Sequence, residues 1–291
     1  MPMAEVPFIK MNGLGNDFVV LDARQRRLPM NAAIARAIGD RAQGVGCDQV
    51  IILRADDVDG VDAFMEIWNR DGSEVAACGN ATRCIGDLLM REKGTDAATI
   101  RTRADILRAR RAADGMISVD MGKPRFGWEE IPLAEEFRDT RGIELQIGPI
   151  DDPVLHTPCA VNVGNPHAIF WVDDLEVIDL GQAGPLLENH PVFPEGANIS
   201  LAKVEAPDHL RLKVWERGAG LTKACGTAAC AAAVCAARTG RTGRKVRVTL
   251  PGGDLFIHWR EEDGRIEMTG PVAYEFEGTL PATLFEDGQA R

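Results

Sequence analysis

Apolar positions along the chain alternate between two periods. Short runs rich in β-branched and aromatic residues at 18–21, 49–53 and 64–68 are bounded by polar or turn residues and predict strands. Residues 31–38 carry apolar side chains at helical spacing behind Asn31, a capping residue type, and predict a short helix. A polar loop over 69–77 leads into a helix that starts near Cys78-Gly79-Asn80 and runs to Met90. Residues 106–109 and 117–121, flanking Asp114-Gly115, predict a hairpin. The plan then returns. A strand is predicted over 210–214, a loop over 215–224, an Ala-rich helix over 225–237, and strands over 246–250, 255–259 and 265–269.

The return is written in the residues themselves. Trp68-Asn69-Arg70 reaches Ala77-Cys78-Gly79 ten positions after its Trp, and Trp215-Glu216-Arg217 reaches Ala224-Cys225-Gly226 at the same interval. Gly15-Asn16 matches Gly164-Asn165, Gln49 matches Asn198, and Asp114-Gly115 matches Asp263-Gly264, all at nearly one offset. Four collinear stretches are a duplication rather than a coincidence. The expected organisation is an N-terminal half over 1–123, joined by the C-terminal segment 272–291, and a C-terminal half over 124–271. The turn residues Gly122-Lys123-Pro124 mark the boundary.

Composition narrows the classes. The chain has 291 residues, 45% of them hydrophobic and 26% charged, as in folded globular proteins. With 33 Lys and Arg against 44 Asp and Glu, the formal charge is −11. The densest basic stretch, Arg101, Arg103, Arg108, Arg110 and Arg111, is interrupted by Asp105 and reads as the exposed face of a hairpin. Neither nucleic acid nor a membrane is an expected partner. The longest apolar run, Ala228 to Ala237, is half of a membrane span, and residues 1–5 lack a secretory pattern. Seven cysteines, an odd number, argue against a disulfide framework and for the cytoplasm.

Five of those cysteines, Cys47, Cys84, Cys159, Cys230 and Cys235, read as small buried hydrophobes. Cys78 and Cys225 differ, because each stands where a polar loop turns into a helix. Unpaired amides and the positive end of the helix dipole there favour a thiolate and can cradle an anion. Two such thiols suit proton removal from one face of a stereocentre and proton return to the other. No metal is expected: there is no C-x2-C, and His156, His167, His190, His209 and His258 include no pair at helical spacing. Gly13-Leu14-Gly15 lacks the rest of a dinucleotide fingerprint. A Cys–His hydrolase with His167 as base would leave the second thiol unexplained.

The chain resembles the diaminopimelate epimerase family. The resemblance rests on residues 10–18 (Lys-Met-Asn-Gly-Leu-Gly-Asn-Asp-Phe), Gly46-Cys47-Asp48-Gln49, residues 69–74 with Cys78-Gly79-Asn80, Gly164-Asn165-Pro166-His167, and residues 216–220 with residues 224–227. It spans residue 10 to about 271. It implies an α/β (α+β) fold of two pseudo-symmetric homologous halves, each a barrel-like mixed sheet around a central helix, with the active site in the cleft between them. It implies interconversion of LL- and meso-2,6-diaminoheptanedioate, on the route to lysine and peptidoglycan, with no cofactor, and a homodimer. By resemblance Cys225 deprotonates the LL isomer and Cys78 reprotonates it, and His167 and Glu216 tune the thiols. Amides of Gly79, Asn80, Gly226 and Thr227 hold the reacting carboxylate. Asn16, Gln49, Asn69, Asn165, Asn198, Glu216 and Arg217 receive the distal amino-acid end. The chain departs from the family at Asn12, where His is frequent, at Ala81 and Ala228, where Gly is common, and at Phe276, where a dimer-contact Tyr is common. A proline or hydroxyproline racemase shares the two-thiol logic without an Arg fork. A redox-responsive binding protein is the alternative outside enzymes.

Overall fold

The computed structural model describes residues 5–286; the outermost residues of the expected N-terminal half, 1–4 and 287–291, lie outside the described residues. The chain divides into two compact units. One comprises the residues up to Val119 together with Gly270 onward, and the other is Asp120–Thr269.

In the first unit the strand Val6–Gly13 turns through Leu14-Gly15 into the strand Asn16–Asp22. Both turn residues have positive φ, 69° and 86°, the geometry of a two-residue hairpin turn that follows the natural strand twist. The strand Asn16–Asp22 then pairs in parallel with Gln49–Arg54, which pairs antiparallel with Ala63–Asn69. Ala63–Asn69 pairs in parallel with Ala97–Arg101, and the antiparallel strands Ile106–Arg111 and Ile117–Asp120 follow. The strand Ala273–Leu280 covers the far edge of Val6–Gly13. Helix α1 (Ala32–Gly39) is capped by Asn31, whose side chain accepts from the amides of Ala33 and Ile34.

Helix α2 (Gly79–Lys93) is buried on every face from Gly79 to Met90, including the polar Asn80, Thr82, Arg83 and Asp87. A helix buried all round must sit inside its sheet, and its polar groups must find partners there. Asp87 does so with Arg111 and Arg91, both at 2.8 Å. Gly94, at φ 64°, ends the helix in the left-handed conformation that glycine adopts without strain.

The second unit repeats these pairings. Cys159–Asn162 pairs antiparallel with Pro166–Trp171, which pairs in parallel with Asn198–Ala206. His209–Glu216 follows antiparallel and Lys245–Leu250 in parallel; Gly253–Trp259 and Ile266–Gly270 follow antiparallel. Helix α3 (Leu180–Glu188) packs Leu180, Ala183 and Leu187 inward. Helix α4 (Gly226–Arg238) is buried from Ala228 to Ala236, and its near-uniform alanine lets the surrounding strands approach closely.

The four departures from the family pattern have local explanations in part. Asn12 donates to Glu275 at 3.0 Å and accepts from the Gly15 amide at 2.6 Å, so it braces the Leu14-Gly15 turn. Ala81 and Ala228 lie within helical turns and are fully buried, where no positive φ calls for glycine. Phe276 is half exposed and packs edge-on against Phe8, centroids 6.0 Å apart. The basic stretch is a hairpin as expected: Arg101, Arg103 and Arg111 pair with Asp56, Glu74 and Asp87. No helix among the described residues is long and apolar enough to cross a membrane.

Candidate active site

Cys78 and Cys225 are the N-cap residues of α2 and α4, with nearly the same backbone: φ −146° and ψ 113° against φ −126° and ψ 108°. Each carbonyl accepts the first intrahelical bond, from Thr82 (2.9 Å) and Ala229 (3.1 Å). The next amides, of Gly79 and Asn80 and of Gly226 and Thr227, open their helices and have no intrahelical acceptor. All seven cysteines are free thiols. Cys47, Cys84, Cys159, Cys230 and Cys235 are fully buried. Burial pushes the Cys47 and Cys84 thiols up to about 11 and about 12.

Around Cys78 the thiol donates to Asn16 Oδ1 at 3.8 Å, and Asn80 Nδ2 donates to the same oxygen at 3.5 Å. The turn Leu14-Gly15 delivers Asn16 there: a methyl group built on Gly13 would lie 3.1 Å from the Asn80 carbonyl, so strand end and helix start touch. Gln49 Nε2 donates to Asn69 Oδ1 at 3.0 Å, and Asn69 Nδ2 donates to Ser73 Oγ at 3.0 Å. Gln49 Oε1 is buried without a hydrogen-bond partner among the described residues. Gly72, at φ 87°, makes the turn that presents Asn69; a side chain there would strike the Ala32 carbonyl.

Around Cys225 the partners differ. Its sulfur accepts from the Ala228 amide at 3.4 Å and lies 3.4 Å from Thr227 Oγ1. Burial and then the charge of the Glu216 carboxylate, which also accepts a hydrogen bond from the thiol, push it well above its ordinary value, with Thr227 and the Ala228 amide opposing them. The sequence reading of a helix start that favours thiolate is overridden here. At 4% exposure, desolvation outweighs the dipole and its one amide bond. Glu216 is in turn braced by Thr222 Oγ1 at 2.5 Å.

His167 is fully buried, and its Nε2 lies 2.8 Å from Asn165 Oδ1. That contact makes Nε2 the protonated nitrogen and leaves Nδ1 as a buried lone pair with no hydrogen-bond partner among the described residues. Burial, and then the charge of Arg217, push the imidazole down to about 3, so it is neutral at physiological pH. Asn198 has both ends engaged by backbone: Nδ2 donates to the Pro166 carbonyl and Oδ1 accepts from the Arg217 amide, each at 3.0 Å. It therefore acts on the main chain beside His167 and Arg217. The Arg217 guanidinium is exposed and anchored through Nη1 on the carbonyls of Glu195 (2.8 Å) and Gly196 (3.4 Å).

Sequence reasoning passed over the groups that brace these side chains. Asp48, Arg41, Asp17 and Lys10 stand behind Asn16. Glu188 holds the Glu216–Gly220 turn by accepting from Trp215 Nε1 (2.6 Å) and the Gly218 amide (2.9 Å). The signal for Glu188 was faint, since it lies 27 positions before its Trp; in the first unit Trp68 finds Glu66 only two positions away, also at 2.6 Å.

The fold is shared widely. A hydroxyproline epimerase from Agrobacterium vitis superposes with a TM-score of 0.67, covering 97% of this chain and 94% of that one at 15% identity. A phenazine biosynthesis protein of the PhzF family from Bacillus anthracis gives 0.66 at 17% identity, covering 96% and 99%. Sequence is more selective. Proteins named diaminopimelate epimerase from Rhodopseudomonas palustris BisB18 and Afipia carboxidovorans OM5 are each 55% identical to this chain. They cover 97% of it, and 97% and 98% of their own lengths are matched. The profile of the family described as diaminopimelate epimerase matches residues 8–127 and 159–275, one segment for each repeat of the pairing pattern, and the chain belongs to that family.

Proposed function

We propose that this chain interconverts LL- and meso-2,6-diaminoheptanedioate by proton transfer at one α-carbon, with Cys78 and Cys225 as the two acid–base groups. The observation that carries the reading is the pair of N-cap cysteines with matched backbones and different partners, an amide carbonyl at Cys78 and a carboxylate at Cys225. Cys78 donates a hydrogen bond, as a proton-bearing thiol does. Cys225 accepts from the Ala228 amide and itself donates to the Glu216 carboxylate.

In the LL-to-meso direction the Cys225 thiolate takes the α-proton and becomes a thiol. The electron pair is left on the α-carbon and its carboxylate. The Cys78 thiol then delivers a proton to the opposite face and becomes a thiolate, and the reverse direction exchanges the roles. An α-proton beside an ionised carboxylate is a weak acid, so a base of raised pKa is an advantage; burial and Glu216 supply it at Cys225. Amides of Gly79, Asn80, Gly226 and Thr227 hold the reacting carboxylate and stabilise the charge that develops there. Arg217 offers a planar fork to the distal carboxylate. Gln49, whose buried Oε1 is left without a partner, and Asn69 belong to the same recognition set. Neutral His167 fixes the Asn165 amide, and Asn198 fixes the backbone of His167 and Arg217. A homodimer and residence in the cytoplasm are further parts of this reading, the first tested by light scattering.

Incubation with LL-diaminopimelate in D2O tests the reaction. Deuterium at one α-carbon together with the meso isomer is expected, and replacing either Cys78 or Cys225 by Ala lowers turnover by at least about 10³-fold. Exchange on proline or hydroxyproline with none on diaminopimelate would replace the substrate while keeping the two-thiol chemistry. Ligand binding with no α-proton exchange would remove the enzyme altogether.

A further inference from the structure

Asn16 sits at the meeting point of two charged chains, and together they allow its side-chain amide one orientation. On one side Asn16 Nδ2 donates to Asp48 Oδ2 at 3.2 Å. Asp48 Oδ1 accepts from Arg41 Nη2 at 2.7 Å, and the same guanidinium grips Asp17 at 2.8 and 3.0 Å. Asp17 also accepts from Lys10 at 2.6 Å and from the Asp48 amide at 2.9 Å. Burial alone would raise the Asp17 carboxyl, but its hydrogen bonds from Arg41 and then Lys10 hold it well below the usual carboxylate range. On the other side, fully buried Arg83 donates to Asn80 Oδ1 at 3.0 Å, which turns Asn80 Nδ2 toward Asn16 Oδ1.

An arginine only donates and an ionised aspartate only accepts. Arg83 therefore sets Asn80, Asp48 sets Asn16, and both demand that the carbonyl end of Asn16 face the Cys78 sulfur. A carbonyl oxygen at that sulfur favours S–H and opposes S⁻. Cys84, farther along the same helix, is held as a thiol by burial.

Building on the two-thiol reading, we propose that Asp48, held by Arg41, is a positioning residue for Cys78: it fixes the Asn16 amide so that the thiol is kept in its proton-carrying form, ready to donate. After Cys78 gives its proton to the substrate carbon, the same carbonyl disfavours the thiolate and promotes recapture of a proton. Asp48 acts on Cys78 through Asn16, whose Nδ2 it holds.

The test is alkylation of the intact folded protein by iodoacetamide across a pH series, read by mass spectrometry on the separate peptides carrying Cys78 and Cys225. In Asp48→Asn the Cys78 rate at neutral pH is expected to rise about tenfold, because only the long 3.5 Å bond from Asn80 then holds the Asn16 carbonyl at the sulfur and the amide can reverse to offer N–H. The Cys225 rate stays at the wild-type value. Arg41→Met, at a half-exposed position, shifts Cys78 the same way by a smaller factor, and Arg41→Lys recovers part of the change. In turnover, Asp48→Asn lowers kcat in the LL-to-meso direction about tenfold with little change in KM. If Asp48→Asn does not fold, the two Arg41 variants carry the test. Cys78 profiles that superimpose on wild type in the folded variants overturn the inference. So does a rise shared equally by Cys78 and Cys225, which would mark the network as merely structural. Absence of diaminopimelate turnover in the unaltered protein would sink the proposed reaction instead, while the alkylation arm would still judge Asp48.

Discussion

The two cysteine neighbourhoods are copies of one design that have been given different chemistry. Both begin a buried helix, after a Trp-anchored strand and a turn built on a positive-φ glycine, Gly72 in one case and Gly218 in the other. Yet Cys78 is half-buried and points its S–H at an amide carbonyl, whereas Cys225 is buried beside a carboxylate and receives an amide N–H. The neighbours explain the split. Asn16 is backed by a charged lattice of Lys10, Asp17, Arg41 and Asp48, while its counterpart Asn165 is bound to neutral His167. Asn69 is replaced by Glu216, so one neighbourhood holds an amide where the other holds a charge. Duplication supplied the scaffold, and substitution at a few mirrored positions set the thiols apart.

That contrast can be broken most forcefully at Glu216. Replacing Glu216 by Gln removes the charge that raises Cys225 but keeps the shape, and turnover should fall by about 10²-fold. Alkylation of Cys225 at a fixed pH should meanwhile quicken as its thiolate becomes easier to form. An unchanged alkylation profile would mean that Glu216 does not tune the thiol.

The next largest effect is on stability against acid. His167 is neutral in the fold, with its imidazole pushed down to about 3 from an ordinary 6.5. The unfolded chain therefore binds a proton that the folded chain refuses, and stability drops as pH falls below about 6.5. Between pH 6.5 and 5 the loss is about 2 kcal/mol at most. Denaturant midpoints of the wild type and His167→Gln, followed across that window, should converge as pH falls. Parallel curves would show that this imidazole is not what the acid titrates. The Asp17 contribution has a separate window, being lost only below about pH 4.

The smallest expected difference sharpens the comparison between mirrored amides. Asn198→Ala leaves a buried carbonyl and a buried amide unpaired and should cost about 1–3 kcal/mol. Asn16→Ala, in a half-buried position, should cost less, about 1 kcal/mol, while disturbing Cys78 reactivity more. Thermal melts of the two variants, read with alkylation, separate an amide that builds the fold from one that addresses a thiol.

Much of this fold can be read along the chain. The strand at 49–53, the helix behind Asn31 and the helix behind Cys225 lie within a residue or two of where apolar period and caps place them, and the helix behind Cys78 runs three residues past Met90. The strand Val6–Gly13 hides because Lys10 occupies an inward position, a charge that only its pairing with Asp17 makes tolerable. Helix α3 hides because it carries Pro185 and two glycines. It forms through the Asp179 cap and the packing of Leu180, Ala183 and Leu187. Cys78 and Cys225 were legible because the repeat prints them twice, and the residues proposed around them came from the family resemblance. Their supports were not, since Arg41, Arg83, Glu188 and Thr222 carry no motif and gain meaning only from what they touch.

The sequence by itself determined the duplication, the helix starts at Cys78 and Cys225, and the residue types at mirrored positions, because period, capping and repetition are properties of local order. The tertiary structure alone decided which group each thiol faces, and in which direction burial moves Cys225 and His167. Those quantities depend on desolvation and on the nearest charge, and residues far apart in the chain supply both.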